Sequence, residues 1–227
     1  MPARTPATAR PAAVAFDLDG LLVNSEDVYQ RVGSEILRRR GKRFEDPLRH
    51  AMLGRPAADA LRVMIDWHAL DDSVEDLARE SEGVFWQLAA GELRCMPAAV
   101  DLLDWLTQRG APRGVVTSGS RAYAAKVLEL VGLAGRFAFC ITADDVTHGK
   151  PAPEPYTKAA ERFGVPPEAM LALEDSATGC RAAVAAGALT VAVPNRHTAD
   201  HDFPPGVRRV TSLGDPELRR LLTGDGA

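Results

Sequence analysis

The sequence predicts an α/β protein in which a doubly wound parallel sheet carries an inserted α-helical unit. Short apolar runs alternate along most of the chain with segments of helical period, as expected for parallel strands joined by crossover helices. One long stretch, residues 25–96, departs from this alternation and offers apolar residues at helical spacing only. We therefore expect one α/β core that is interrupted once by a bundle of helices.

The predicted strands are short runs rich in Val, Ile, Ala and Phe. They are Ala13–Phe16, Gly114–Thr117, Phe137–Ile141, Leu171–Leu173 and Leu189–Val193. Runs of this length that are apolar on both faces are typical of strands buried in a parallel sheet. Because ligands of such sheets bind at the carboxyl ends of the strands, we expect functional residues to follow these runs directly.

Helical segments lie between most of these strands. The first has Val100, Leu103 and Leu106 on one face. The next three end at Gly132, Gly164 and Gly187, where a left-handed residue closes a helix most easily.

The inserted stretch contains no convincing strand. Its apolar residues recur at helical spacing, and Ser73 with Asp76 has the spacing of a capping box. These apolar residues are Val28, Val32, Ile36, Leu61, Met64, Ile65, Leu77, Val84, Phe85 and Leu88. Because the insertion enters directly after the loop of the first strand, we expect residues 25–96 to form a cap over the strand ends, with 1–24 and 97–227 as the core.

The composition excludes several classes of protein. The chain has 227 residues, is 46% hydrophobic and carries a formal net charge of -4, as an ordinary globular protein does. Basic residues accumulate only at 38–40 and 42–43, so no nucleic-acid partner is expected. No run approaches the roughly 20 apolar residues of a membrane-spanning helix, and no membrane partner is expected.

The cysteines and the N-terminal residues indicate where in the cell the protein is expected. Cys95, Cys140 and Cys180 are an odd number without a CxxC pair, which fits neither a disulfide framework nor a zinc knuckle and favours a reducing cytoplasm. Residues 1–12 lack the apolar core of a signal peptide and are interpreted as a frayed leader. Residues 195–206, with two prolines and few apolar side chains, are interpreted as a surface loop.

Two carboxylates follow the first predicted strand, in Asp17-Leu18-Asp19-Gly20. Side chains two apart on an extended chain point the same way. Neighbouring negative charges become tolerable when a divalent cation lies between the chain and an anionic substrate, and oxygen ligands of this kind suit Mg²⁺. An ordinary turn explains the tetrapeptide alone equally well.

A second acidic pair, Glu174-Asp175, follows the predicted strand Leu171–Leu173. Two acidic strand ends of one parallel sheet can share one cation, so both pairs are candidate metal-site residues. By itself the second pair is equally typical of a helix N-terminus, where negative charge complements the helix dipole.

A hydroxyl-rich segment, Thr117-Ser118-Gly119-Ser120, follows the second predicted strand. Hydroxyls and backbone N–H groups at a helix N-terminus can bind an anion, which makes Thr117, Ser118 and Gly119 candidate substrate-binding residues. A helix N-cap is the more common role of such a segment.

Lys150 lies between Gly149 and Pro151, in a loop stiffened by prolines. A lone lysine is usually solvated, but a rigid loop would hold this one in place as a point charge for phosphate. Carboxylates, hydroxyls and a lysine along one sheet edge are the groups that phosphoryl transfer needs, because the charge of a phosphate dianion must be neutralised before a carboxylate can approach it.

At these positions the chain resembles the haloacid dehalogenase superfamily, in the subgroup of β-phosphoglucomutase and small sugar or polyol phosphatases. The resemblance covers nearly the whole chain. Asp17–Gly20 is similar to the first family motif, Val116–Gly119 to the second, Lys150-Pro151 to the third and Leu173–Ser176 to the fourth. The helical insertion resembles the type 1 cap of the family.

The resemblance implies a role for each motif residue. Asp17 would attack phosphorus to give an aspartyl phosphate, and Asp19 would protonate the departing alkoxide and later deprotonate the hydrolytic water. Thr117, or Ser118 if the alignment slips by one place, would hold the phosphoryl group. Lys150 would bridge Asp17 and the phosphoryl oxygens.

The resemblance also implies a Mg²⁺ cofactor. The ion would be held by the Asp17 carboxylate, the Asp19 backbone carbonyl and Asp175. Glu174 would be a ligand or a close neighbour of the ligands. Arg55, in a glycine-containing loop of the cap, is a candidate for contact with the substrate.

Departures from the family pattern narrow the expected activity. Mutases carry a histidine and an arginine where Tyr29 and Ala57 stand here, and hydrolytic dehalogenases lack an acid at the position of Asp19. We therefore predict a Mg²⁺-dependent phosphatase that acts on a small phosphorylated metabolite, a sugar or polyol phosphate. A sugar-phosphate mutase and a phospho-acceptor regulatory module remain as alternatives. Neither the particular substrate nor the oligomeric state is predicted.

Overall fold

The computed structural model describes residues 10–52 and 57–224. Within these residues, the strands are Ala13–Phe16 (β1), Arg113–Val116 (β2), Cys140–Ile141 (β3), Met170–Glu174 (β4), Leu189–Ala192 (β5) and Arg208–Arg209 (β6). They form one sheet in the order β3-β2-β1-β4-β5-β6, and every neighbouring pair is parallel. The predicted α/β fold with a parallel sheet is confirmed.

The edges of the sheet differ from the prediction. The predicted strand Phe137–Ile141 is reduced to β3, although Phe139 still accepts a backbone hydrogen bond from Val115 at 3.0 Å. The edge strand β6 was not predicted, because its two residues are exposed arginines and form no apolar run. Short, charged edge strands of this kind resist pairing with another chain.

Helices connect the strands and form the inserted segment. In the two described ranges they are Ser25–Arg39 (α1), Asp46–Met52 (α2), Ala57–His68 (α3), Val74–Glu92 (α4), Ala99–Gln108 (α5), Arg121–Leu130 (α6), Glu154–Phe163 (α7), Ala177–Ala185 (α8) and Pro216–Thr223 (α9). Gly132, Gly164 and Gly187 follow α6, α7 and α8 with positive φ angles, as the sequence predicted.

The chain divides into two compact units. One comprises the described residues up to Asn24 together with those from Arg94 onward, and the other is Ser25–Leu93. The second unit contains α1 to α4, whose apolar faces supply its buried residues. Arg40 also links its elements, because the guanidinium contacts Asp72 at 2.6 Å and Glu80 at 2.7 Å.

The central strands of the first unit position the candidate site. All residues of β1 and β4 are buried. Phe16 of β1 is paired with Val115 of β2 on one side and with Leu173 of β4 on the other. The residues that follow Phe16, Val116 and Leu173 therefore emerge together at the carboxyl edge of the sheet, where the strand order reverses and where such sheets bind ligands.

Candidate active site

Asp17 lies at the carboxyl end of β1 and is 7% exposed. Its backbone N–H donates to the carbonyl of Leu173 at 2.9 Å, so the residue continues the pairing of β1 with β4. Its carboxylate accepts a hydrogen bond from Lys150 Nζ at 2.5 Å. The residue is therefore fixed at both backbone and side chain.

Lys150 joins three groups that are far apart in the sequence. Its side chain is only 5% exposed, and Nζ donates to Asp17 Oδ1 at 2.5 Å, to Glu174 Oε1 at 2.6 Å and to the carbonyl of Val116 at 2.8 Å. Lys150 is therefore buried and ion-paired, whereas a lone lysine is usually solvated.

Burial and neighbouring charges both shift the pKa values of Lys150 and Asp17. Burial lowers the pKa of the Lys150 ammonium, but the carboxylates of Asp17 and Glu174 raise it by more, so the pKa lies above that of an ordinary lysine. Burial raises the pKa of Asp17; Lys150 lowers it, and Glu174 and Asp19 raise it further, so that it lies well above the ordinary value. The site carries more negative than positive charge, which favours a bound cation.

Asp19 lies in the turn after β1 and is oriented by two hydroxyl groups. Tyr123 Oη donates to its Oδ1 at 2.6 Å, and Thr117 Oγ1 donates to its Oδ2 at 3.2 Å. The turn closes through hydrogen bonds from Gly20 N to Val23 O at 2.8 Å and from Leu22 N to Leu18 O at 3.0 Å.

Neighbouring residues of the hydroxyl-rich segment after β2 make different contacts. Thr117 is buried, and its hydroxyl contacts Asp19 and accepts from Gly119 N at 3.0 Å. Ser118 is exposed, whereas Ser120 is the N-cap of α6 and accepts from Tyr123 N. The structure therefore brings Thr117, and not Ser118, to the Asp19 carboxylate. The expected contact of Ser118 and Gly119 with substrate remains a prediction.

Glu174 ends β4 and has no exposed surface. Its Oε1 accepts from Lys150 and from Tyr156 Oη at 2.5 Å, and its Oε2 accepts from Ser176 Oγ at 3.3 Å. Because both oxygens are already hydrogen-bonded, the geometry favours Glu174 as a residue that holds Lys150 in place.

Gly179 makes room for this carboxylate. A β-carbon at Gly179 would lie 2.0 Å from the Glu174 Cδ atom, although its backbone has an ordinary helical conformation in α8. The first turn of α8 therefore packs directly against Glu174, and this close approach requires glycine.

A Gly179→Ala substitution should destabilise the protein by about 1–3 kcal/mol, because the added methyl group must displace Glu174 from Lys150 and Tyr156. Urea unfolding followed by circular dichroism measures the change. Gly83→Ala is the matched control, since a β-carbon at that position in α4 meets no atom within 4 Å. The control should be stabilised by about 0.5–1 kcal/mol. An equal change in the free energy of unfolding of the two variants would contradict the close packing of α8 against Glu174.

Asp175 completes the acidic cluster. It is 4% exposed, and its Oδ2 accepts from Asn195 Nδ2 at 2.9 Å. One carboxylate oxygen from each of Asp17, Glu174 and Asp175 lies within 4.8 Å of the others. Three buried carboxylates at this separation fit an oxygen-ligated divalent cation, and the hard oxygen donors suit Mg²⁺.

The Asp19 carboxylate is oriented differently from this cluster, towards Tyr123 and Thr117. The predicted contribution of Asp19 to a metal site was its backbone carbonyl, and that contribution remains a prediction. Arg55, the predicted cap residue for substrate, lies outside the described residues.

Sequence reasoning missed three residues of the site. Tyr123 lies in the first turn of α6, Tyr156 lies in α7, and Asn195 follows β5 in the segment that was interpreted as a surface loop. Tyr156 belongs to a helical apolar face, so its sequence context is that of a core aromatic. Only the contacts of the three polar groups with Asp19, Glu174 and Asp175 distinguish them.

The sheet and the carboxylate–lysine cluster at its carboxyl edge define the chain as an α/β enzyme. The chain belongs to the haloacid dehalogenase-like hydrolase family, whose model matches residues 11–187. This match confirms the resemblance that the four motifs indicated, and with it the prediction of a hydrolase.

Two curated relatives are similar over most of the chain. Validoxylamine A 7'-phosphate phosphatase from Streptomyces hygroscopicus subsp. limoneus is 37% identical over 191 residues, which are 82% of this chain and 86% of the relative. (DL)-glycerol-3-phosphatase 2 from Arabidopsis thaliana is 35% identical over 191 residues, 80% of this chain and 79% of the relative.

A solved structure shares the fold. CbbY from Rhodobacter sphaeroides in complex with phosphate has 26% sequence identity and a TM-score of 0.76, with 89% of this chain and 95% of that chain covered. Among the described residues of the present chain, no helix combines the length and the apolar character that crossing a membrane requires.

Proposed function

We propose that the protein is a Mg²⁺-dependent phosphatase that hydrolyses a small sugar phosphate or polyol phosphate through an aspartyl phosphate on Asp17. The observation that carries the proposal is the buried contact between Asp17 and Lys150, which fixes a carboxylate beside a positive charge at the carboxyl edge of the sheet. The phosphatase names of both curated relatives support the reaction class.

The first half of the reaction forms a bond between an Asp17 carboxylate oxygen and phosphorus and breaks the bond from phosphorus to the substrate oxygen. Asp19 donates a proton to this departing oxygen, so the product leaves as an alcohol. Tyr123 and Thr117 hold the Asp19 carboxylate at both of its oxygens. Lys150 orients Asp17 and supplies positive charge for the phosphoryl oxygens.

The second half of the reaction returns the enzyme to its starting state. Asp19 takes a proton from water, the water oxygen bonds to phosphorus, and the bond between phosphorus and the Asp17 carboxylate breaks. Inorganic phosphate leaves, and Asp17 is again a free carboxylate. The same residue acts first as acid and then as base, so no further proton carrier is needed.

Asp17 and Asp175 would hold Mg²⁺, together with the Asp19 backbone carbonyl that the family resemblance implies. Glu174 lies close enough to add negative charge at this position. When bound, the cation neutralises part of the negative charge that the site and a phosphate dianion bring together.

The cysteines support the proposed reducing location of the enzyme. Cys95, Cys140 and Cys180 are free, and burial raises the pKa of the Cys140 thiol to about 11. A protonated thiol resists oxidation in any compartment, so the proposed location rests on the odd number of cysteines without a CxxC pair, which favours a reducing cytoplasm.

A panel of glycerol, hexitol and sugar phosphates tests the proposal. The purified protein should release inorganic phosphate from at least one member in the presence of Mg²⁺, lose this activity after chelation and regain it when Mg²⁺ is added back. Release that is unaffected by complete chelation would contradict the cation dependence.

The same panel separates the alternatives. Isomerisation of a sugar phosphate that is faster than phosphate release would indicate a mutase. A phosphorylated Asp17 that persists without turnover would indicate a phospho-acceptor module.

A further inference from the structure

The loop after β5 holds one side chain in a fixed orientation. Asn195 N donates to Thr198 Oγ1 at 3.0 Å, and Thr198 N donates to the Asn195 carbonyl at 3.1 Å. Thr198 is 5% exposed, so this pairing is shielded from water. The loop also begins at the site, because Val193 N donates to the carbonyl of Glu174 at 2.7 Å.

The side-chain amide of Asn195 can be oriented in only one way. Its Oδ1 accepts from the backbone N–H of His197 at 2.7 Å, and a backbone N–H can only donate. The amide nitrogen must therefore face the opposite side, where both of its neighbours are acceptors.

The two neighbours belong to two different loops of the site. Asn195 Nδ2 donates to the Gly20 carbonyl at 3.0 Å and to Asp175 Oδ2 at 2.9 Å. A β-carbon at Gly20 would lie 2.4 Å from Asp175 Oδ2 and 2.8 Å from Asn195 Nδ2. The three groups are thus in close contact, and one amide links the loop after β1 to the loop after β4.

We propose that Asn195 is a positioning residue for the divalent cation, a role that rests on the proposed function. The carboxylates of Asp17 and Asp175 repel each other, and the hydrogen bond from Asn195 opposes a rotation of the Asp175 side chain away from Asp17. Asn195 holds Asp175 against the loop of Gly20 before the cation arrives. Hydrogen-bonded partners of metal ligands typically contribute about 10-fold to 100-fold to metal affinity.

Binding of Mn²⁺ to the full chain, followed by the electron paramagnetic resonance of the free ion, tests this role without measuring activity. Asn195→Ala should weaken Mn²⁺ binding by about 10-fold or more. Asn195→Leu removes the same donors but keeps the side-chain volume, so it should weaken Mn²⁺ binding to the same extent. It serves as the test if Asn195→Ala folds poorly. Thr198→Val is the control, because it removes a hydrogen bond within the loop but leaves the Asn195 amide in place.

The outcomes separate the inference from the proposed function. Loss of affinity in both Asn195 variants, with the Thr198 control within about 2-fold of the wild type, would support the positioning role. Wild-type affinity in the Asn195 variants, or an equal loss in the Thr198 control, would overturn it. A wild-type protein that binds no Mn²⁺ would overturn the cation dependence of the proposed function as well.

Discussion

Replacement of Asp17 by asparagine is expected to lower phosphate release by about 10⁴-fold or more while the protein stays folded. The amide is nearly the same size as the carboxylate, but it cannot attack phosphorus and form the acyl phosphate. Lys150 keeps its contacts with Glu174 and the Val116 carbonyl in the variant, so the site does not lose its lysine. Steady-state release of inorganic phosphate from the best substrate of the panel measures the effect.

Trapping of the aspartyl phosphate tests directly whether Asp17 is the residue that becomes phosphorylated. Acid quenching with a radiolabelled substrate should leave label on the wild-type protein and none on Asp17→Asn. Asp101→Asn, an exposed position in the first turn of α5, is the matched control and should keep wild-type turnover and labelling. Normal turnover by Asp17→Asn would remove Asp17 from the mechanism.

Replacement of Lys150 by methionine is expected to affect both stability and activity. The buried carboxylates of Asp17 and Glu174 would lose their positive partner, and breaking a buried ion pair on one side costs about 3–5 kcal/mol. Activity should fall by at least about 10²-fold, because a fixed charge near the reacting group is lost. Urea unfolding and steady-state kinetics measure the two effects.

A double variant separates charge balance from catalysis at Lys150. Adding Glu174→Gln to Lys150→Met removes one buried negative charge and keeps an acceptor for Tyr156. Part of the lost stability should return, whereas activity should not.

Lys158→Met is the surface control for this experiment. Its side chain is 38% exposed and pairs with Glu154, and exposed ion pairs contribute about 1 kcal/mol or less. Equal destabilisation by Lys150→Met and Lys158→Met would contradict the buried ion pair.

Local patterns were sufficient to predict the strands that position the site. Apolar residues of β1, β2 and β4 lead up to Phe16, Val116 and Leu173, and the polar residues that follow these three positions are the ones that the fold brings together. The prediction succeeded because the carboxyl ends of parallel strands lie at one edge, which depends on strand direction and not on side-chain detail. The edge strand β6 has no apolar run and could not be predicted in this way.

The partners of the predicted residues could not be obtained from local patterns. Lys150 contacts Asp17 across 133 positions of sequence, and Tyr123 contacts Asp19 across 104. Glu174 illustrates the consequence, since its position in the sequence is equally typical of a metal ligand and of a charge at a helix N-terminus. Its hydrogen bonds with Lys150 and Tyr156 favour a third role, as a residue that holds Lys150.

The amino-acid sequence by itself determined the α/β class, the order of the motifs along the sheet edge and the family to which the chain belongs. The first two follow from hydrophobic periodicity and from the residues adjacent to the apolar runs, whereas the family follows from the resemblance of the four motifs. The tertiary structure alone decided that Thr117 and not Ser118 faces Asp19, that Glu174 holds Lys150, and that Asn195 joins two loops. Hydrogen bonds act over about 3 Å, so their partners are known only once distant segments have been brought together.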